Sequence, residues 1–453
     1  MMSQPAVQQQ KTSLPTQTEL ERAISQALDV AKGLGATAAE AAISAESGYC
    51  VTVRLGEVET VEHNRDNGMG ITVYVGKRKG AASTTDTSPA AIKRTVEAAC
   101  DIAKYTAEDE YAGLANAEDM ATEILDLDLN HPWSADTARA IELASECEAA
   151  ALDYDPRVNN SEGGSISSHC GLRVYGNTHG FLAGSASSYH SASCAVIAEQ
   201  DGAMERDYWY SSARRPTDLE SMDSIGRMAA ERTVSRLGGQ QLPTCKVPVL
   251  YSADVAASLL GHFVSAIRGG SLYRKTSFLL DHLGQPVFAD GIRIYEQPHL
   301  HAALGSASFD NDGVATQNRD IVTDGVLQGY VLDSYAARRL NMQTTANAGG
   351  VHNLTIAPGN LDAQGLLKKM DRGLLVTELM GSSVNGVTGD YSRGAAGFWV
   401  EGGEIQYPVS EITIAGNLKD MYRDILEVGT DVDLRRSTRT GSILIREMMI
   451  AGE

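Results

Sequence analysis

Successive strand patterns, each closed by a glycine turn, fill the stretch from Arg157 to Tyr210. Within GLRVYGNTHGFLAGSASSYHSASCAVIAEQDGAMERDYWY, the pairs Gly176-Asn177 and Asp201-Gly202 supply residues that tolerate the backbone of a tight reversal. Strands joined this closely run antiparallel, because a parallel connection needs a crossover of about a dozen residues. The run SASSYHSAS is small and polar, so hydrophobicity specifies its register weakly. Forty-four glycines against twelve prolines extend the same picture of many turns and hairpins to the whole chain.

The segments before this stretch mix helix and strand. From Thr18 to Lys32, Leu20, Ile24, Ala27, Leu28 and Ala31 follow helical spacing, and Gly33 and Gly35 end the run. Strand patterns follow at Tyr49–Glu62 and from Gly70 through Tyr74 to Ser83. Ser88-Pro89 then introduces a helix carrying Ile92, Val96 and Ala99, and another is expected over Asp136–Leu152. A helix over Asp218–Leu237 closes at Gly238-Gly239, and KVPVLY (Lys246–Tyr251) is an apolar strand. Beyond Lys275 the chain reads as mainly β, including QGYVLDSYAARRL, the strand GLLVTEL, a hairpin over Gly397–Val409, a short helix from Gly416 and a last strand from Gly441.

The fold class expected is α+β, an N-terminal α/β-hairpin domain followed by a mainly antiparallel β domain with a few helices. For 453 residues, two to three domains are expected. We divide the chain into a disordered lead-in (1–17), an N-terminal domain (18–238) and a C-terminal domain (239–453).

Composition narrows the function classes. A net charge of −20 disfavours contact with nucleic acid, whose phosphates repel an acidic surface. The densest basic run, Lys77-Arg78-Lys79, reads as a solvated hairpin end. No run approaches the ~18 apolar residues of a membrane span, and the polar first seventeen residues lack the apolar core of a secretory signal. Six cysteines without a C-x-x-C pair fit reduced thiols in the cytoplasm.

The stretch LLGHFVSAIRGGSLYRKTSF (Leu259–Phe278) carries the most chemistry. Val255, Leu259, Phe263 and Ile267 make a buried stripe, with Ser252 as the N-cap. His262 stands beside that stripe, but position i+4 is Ala266, and no carboxylate lies on the helix past Asp254. One imidazole cannot hold a catalytic zinc, which needs three protein ligands and an open position. A hydrogen-bonded structural histidine is the reading of the residues alone.

Taken together, GHFVSAIRGGSLYRKTSFL, VHNLTIAPGN and LLVTELMGSSVNGVTGDYSRGAAGFWVEGGEIQYPVSEITIAGNLKDM resemble the TldD/PmbA family, also called the modulator of DNA gyrase family, in its PmbA (TldE) branch. The resemblance is densest from Lys246 to Glu453. The TldD branch carries H-E-x-x-x-H on this helix, followed by a basic pair. Aligning that pair with Arg274 and Lys275 places the two histidines at Gly261 and Ala266 and the glutamate at His262. The third TldD ligand, a cysteine, has no counterpart in VGTDVDLRRSTRTGS (428–442). The resemblance therefore implies a chain of a degenerate metal helix (253–268), no metal ligand and no cofactor of its own. It also implies a zinc-bearing TldD-like partner, a cytoplasmic heterodimer, and unfolded or small peptides as substrates in peptide maturation and antitoxin turnover.

Other groups leave alternatives open. His299 and His301 form H-x-H, and with His352 could serve a free-standing metallohydrolase. Asp310-Asn311-Asp312-Gly313 begins like a calcium loop but lacks the later carboxylates, so a hairpin turn is expected. The small-residue stretch from Gly381 could offer its backbone to an extended peptide or simply connect strands. Asp390, Tyr391 and Arg393 there, with Arg274 and Lys275, are the candidate peptide or partner contacts. A non-catalytic homodimer that holds peptides is the third possibility.

Overall fold

The computed structural model of the chain describes residues 14–452. Residues 1–13 of the expected lead-in lie outside the described part. Its last residue, Gln17, instead opens the first helix, α1 (Gln17–Gly33). Thr16 and Glu19 close a capping box there: Thr16 Oγ1 accepts from the Glu19 backbone, and the Glu19 carboxylate accepts from Thr16 N at 2.7 Å.

Two compact units divide the chain, one holding the residues up to Gly48, His63–Ala112 and His169–Ser187, the other holding the rest. The strands β1 (Ala38–Arg54), β2 (Glu57–Val75), β3 (Arg78–Thr84), β4 (Val158–Asn177), β5 (Leu182–Gln200) and β6 (Ala203–Ala213) form a six-stranded sheet in the order β3-β2-β1-β4-β5-β6. In the first unit, α1 buries the five apolar residues read from its spacing against Ala41, Ile43, Ile71 and Val73. Helix α2 (Pro89–Tyr105) adds Ile92, Val96 and Ala99 to the same core. It approaches β3 so closely that a Cβ on Gly80 would lie 2.0 Å from the Ala99 carbonyl oxygen.

The strand expected over Tyr49–Glu62 is two strands. A tight turn at Leu55-Gly56, with φ of 51° and 78°, separates β1 from β2. Apolar spacing changes from two residues to three between Leu55 and Val58, and that change together with Gly56 marks the turn inside the expected strand. In the second unit, α3 (Thr137–Leu152) secures the turn. Buried Glu148 accepts from Leu55 N at 2.8 Å and from Gly56 N at 3.0 Å. Helix α4 (Met222–Ser235) packs with α3 over Val51, Ile166 and Val196.

The second unit also carries a closed sheet. β7 (Cys245–Tyr251) pairs in parallel with Gly373–Val384 and antiparallel with Ile443–Ala451. Gly373–Val384 pairs with Asp390–Glu401, which pairs with Glu404–Asn417. That strand pairs in turn with Ile443–Ala451 through Thr413↔Ala451 and Ala415↔Met449, so five strands close on themselves. Alternation then sorts their side chains. Val249, Tyr251, Leu374, Val376, Ile412, Ile414 and Ile445 join the large core with helix α5 (Ala253–Ile267), whereas Leu250, Val400 and Leu444 pack on Leu366 and Met370. The stretch QGYVLDSYAARRL is not all β: Asp333 caps a short helix, Ser334–Arg339, by accepting from Ala336 N. Among the described residues no helix is long and apolar enough to cross a membrane.

Candidate functional site

Helix α5 is held by its apolar stripe. Leu259, Phe263 and Ile267 are buried and Val255 partly so, with Ala256 and Leu260 widening the contact. Phe263 meets Phe288 edge-on at 4.9 Å between ring centroids and Tyr422 at 6.1 Å. Tyr422 Oη donates to the Leu259 carbonyl at 2.9 Å, satisfying a phenol inside the core. Ser252 occupies the N-cap position but makes no side-chain cap; its hydroxyl turns to the Asp254 carboxylate. The helix ends at Ile267, one residue short of the expected bound, because Arg268 is extended. A second short helix, Gly269–Tyr273, follows at once.

Of the three positions aligned with metal-binding residues, Gly261 is exposed, and a Cβ added there would meet nothing within 4 Å apart from its own helix. Ala266 is buried, and its carbonyl accepts from Ser277 Oγ at 2.6 Å. His262 is half-buried. Its ring stands edge-on to Tyr391, with centroids 6.0 Å apart. Its Nε2 is buried and has no hydrogen-bond partner, so the hydrogen-bonded structural histidine expected from the residues is not what this nitrogen presents. Burial, reinforced by the charge of Arg393, lowers the imidazole below the usual histidine value of about 6.5.

Tyr391 and Arg393 stand two residues apart on Asp390–Glu401 and so share the face turned to α5. Tyr391 is buried, and its hydroxyl has no hydrogen-bond partner of good geometry. Burial raises its phenol, opposed by Tyr251 and by Arg393. Arg393 Nε donates to the Met380 carbonyl at 3.2 Å. Asp390, by contrast, is exposed and tied to Thr388 and Asn417, whose hydrogen bonds lower its carboxyl. The structure thus gathers His262, Tyr391 and Arg393 and leaves Asp390 at the hairpin end.

Arg274 and Lys275 are exposed. Arg274 lies over the Tyr273 ring at 5.3 Å, and Arg339 lies over the same ring at 5.0 Å. Among the described residues the other candidate histidines form no group of three possible ligands, although His352 lies close enough for its charge, after burial, to lower His299. His299 Nε2 meets Thr316 Oγ1 at 3.0 Å, His352 faces the carbonyls of Gly305 and Ala346, and His301 is exposed. None of the three lies in a strand. Asp310–Gly313 forms the expected tight turn, with Asp310 N donating to Val314 O.

Sequence reasoning missed two residues here. Tyr251 ends the apolar strand KVPVLY, and its phenol lies fully buried among Tyr391, Tyr422 and Met448, with Oη 3.3 Å from the Met448 sulfur. A tyrosine closing a buried strand was the available signal, since its hydroxyl must find a partner. Arg439, in the stretch that lacks the family cysteine, belongs to a short strand packed on α5 and buries its Nε without a partner.

The His262 environment makes a specific expectation. In a proton NMR titration its ring should show a midpoint below about 6.5. Arg393→Gln should move that midpoint upward but not fully back, since burial is the larger cause. Because the folded value is depressed, the unfolded chain binds more protons below about pH 6.5, and stability should fall as pH drops through that value towards the folded one. A midpoint at or above the ordinary value, or one indifferent to Arg393, contradicts this account.

Comparison with known proteins agrees with this architecture. Three PmbA/TldA metallopeptidase models match in succession: domain 1 at residues 39–103, the central domain at 130–237 and the C-terminal domain at 244–452. The chain is 53% identical to Metalloprotease PmbA of Escherichia coli O157:H7, over 96% of each chain. It is 50% identical to the Metalloprotease PmbA homolog of Haemophilus influenzae, again over 96% of each. Among solved structures, a protein described as a candidate modulator of DNA gyrase from Bacteroides thetaiotaomicron superposes with a TM-score of 0.91 at 28% identity, covering 96% of this chain and 99% of its own. TldE from Thermococcus kodakarensis shares the fold, with a TM-score of 0.83 at 19% identity over 95% of this chain and all of its own. The chain belongs to the PmbA/TldD metallopeptidase family.

Proposed function

We propose that this chain is the TldE-like subunit of a TldD/TldE-type metallopeptidase: it pairs with a zinc-bearing TldD-like chain, shapes the chamber and holds peptide, and hydrolysis takes place on the partner. The observation that carries this reading is the setting of His262. The aligned helix offers one imidazole between Gly261 and Ala266, and its neighbours are a phenol and a guanidinium. Those residues do not fit a zinc ion. Zinc takes cysteine, histidine or carboxylate ligands, commonly three of them in a catalytic site. A guanidinium charge beside the imidazole further opposes a dication. Among the described residues no three His, Cys, Asp or Glu side chains gather elsewhere in a metal-binding arrangement.

What these residues can do is bind and orient. Residues beyond Glu378 in Gly373–Val384 have a strand partner on one side only, which leaves backbone groups for an extended peptide. The unpaired cysteines and acidic charge fit a cytoplasmic setting. The test is to purify the chain alone and together with its TldD-like partner, then measure bound zinc and cleavage of an unfolded peptide. Zinc and hydrolysis should appear in the mixture, with the metal on the partner. Stoichiometric zinc with hydrolysis by the lone chain overturns the proposal.

A further inference from the structure

We propose that the junction of α5 with the strand Asp390–Glu401 is a carboxylate-binding site, with Arg393 and His262 as its donors, which takes the C-terminal carboxylate of a peptide. The inference rests on the reading of this chain as a peptide-holding subunit and adds the chemical group that is recognised.

Arg393 is the first observation. The chain carries 58 acidic residues against 38 Lys and Arg, and its half-buried arginines mostly face carboxylates: Arg232 and Arg236 face Asp207, Arg319 faces Glu296, and Arg435 faces Asp433. Arg393 has no such partner among the described residues. Its one hydrogen bond runs from Nε to the Met380 carbonyl, leaving both terminal nitrogens of the fork free. That fork is the geometry that grips a carboxylate through two parallel bonds.

The second observation is His262 Nε2, buried and without a partner. A buried polar atom left unsatisfied costs about 1–3 kcal/mol. Arg393 lies close enough to oppose the protonated ring, and its own charge faces no carboxylate among the described residues. A carboxylate oxygen answers both groups, pairing with the guanidinium and accepting from the ring N–H.

The third observation selects a peptide as the source. Met380, which receives the Arg393 bond, lies in the one-sided part of Gly373–Val384, where the side chain of Met380 and Gly381–Ser383 are exposed. An extended chain laid along that edge runs past Met380, the residue that Arg393 holds. The small residues Gly381–Ser383 leave the approach along that edge open.

The experiment uses the full chain and two N-terminally labelled unstructured peptides, identical except that one ends in a free carboxylate and the other in an amide. Binding is read by fluorescence anisotropy, with inorganic phosphate as a competitor. The free-acid peptide should bind about tenfold more tightly than the amide, the scale of one charge-assisted hydrogen bond. Arg393→Gln should abolish the difference between acid and amide, and Arg393→Lys should retain part of it. Thermal melts of both variants report that the fold is intact. Equal binding of acid and amide by the natural chain overturns the carboxylate assignment and leaves the peptide-holding reading standing. So does an acid preference that survives Arg393→Gln. Arg393-dependent binding of phosphate alone, with no acid preference, makes the site a free-anion site and equally overturns it. Failure of both peptides to bind removes the proposal together with the reading beneath it.

Discussion

Replacing Phe263 with alanine is expected to cost about 3–5 kcal/mol of folding stability. The ring is fully buried edge-on against Phe288 and Tyr422, which themselves stack at 4.6 Å and 23°. Tyr422 is further fixed by its hydrogen bond to Leu259. Neighbours held this way cannot collapse into the vacated space, so the cavity persists and adds to the lost transfer energy. Chemical denaturation should show a lower midpoint with an unchanged slope. A loss below about 1 kcal/mol would mean the aromatic cluster repacks freely, against the geometry. Phe263 adjoins His262, so the same variant should weaken peptide binding even where the chain stays folded.

Gly397→Ala should be at least as damaging. A Cβ there would lie 1.8 Å from the Leu375 carbonyl oxygen and 3.0 Å from the Val376 Cα. Both are backbone atoms of the paired strand, with Val376 opposite Gly397. No side-chain rotation relieves the clash, so the two strands must separate locally. Crowding of this kind ordinarily costs about 1–3 kcal/mol and more where the backbone itself is the obstacle. The expected outcome is a poorly folded C-terminal sheet, seen as early loss of amide protection in the strands around Val376 and Phe398. Gly261→Ala is the control: its added methyl meets nothing and should leave protection unchanged.

Where sequence pattern was strong, the fold was readable. The five apolar residues of α1 and the start of α2 at Ser88-Pro89 lie where spacing and local chemistry place them, and the helix expected over Asp136–Leu152 is α3, which Asp136 caps. What escaped was local geometry without a compositional mark. The Leu55-Gly56 turn has no mark beyond Gly56 and one change of apolar spacing from Leu55 to Val58, and Ser334–Arg339 is a helix too short to show a period. The site divided in the same way. The grouping of Tyr391 with Arg393 follows from strand alternation, but their meeting with His262 depends on contacts between residues far apart in sequence. Tyr251 carried a usable signal, whereas nothing in the sequence marks a single buried nitrogen left without a partner.

Closure of the C-terminal sheet has a kinetic side. Tyr251 on β7 meets Met448 on the closing strand, 197 residues further along. The loop between them must be gathered before that contact repays its entropy, and such non-local pairings slow folding. Until Ile443–Ala451 docks, β7 presents an unpaired edge of Val, Leu and Tyr, the kind of surface on which chains associate wrongly. Refolding yield should therefore depend on protein concentration more steeply than the stability of the finished molecule would suggest, with the docking of that strand as the slow step.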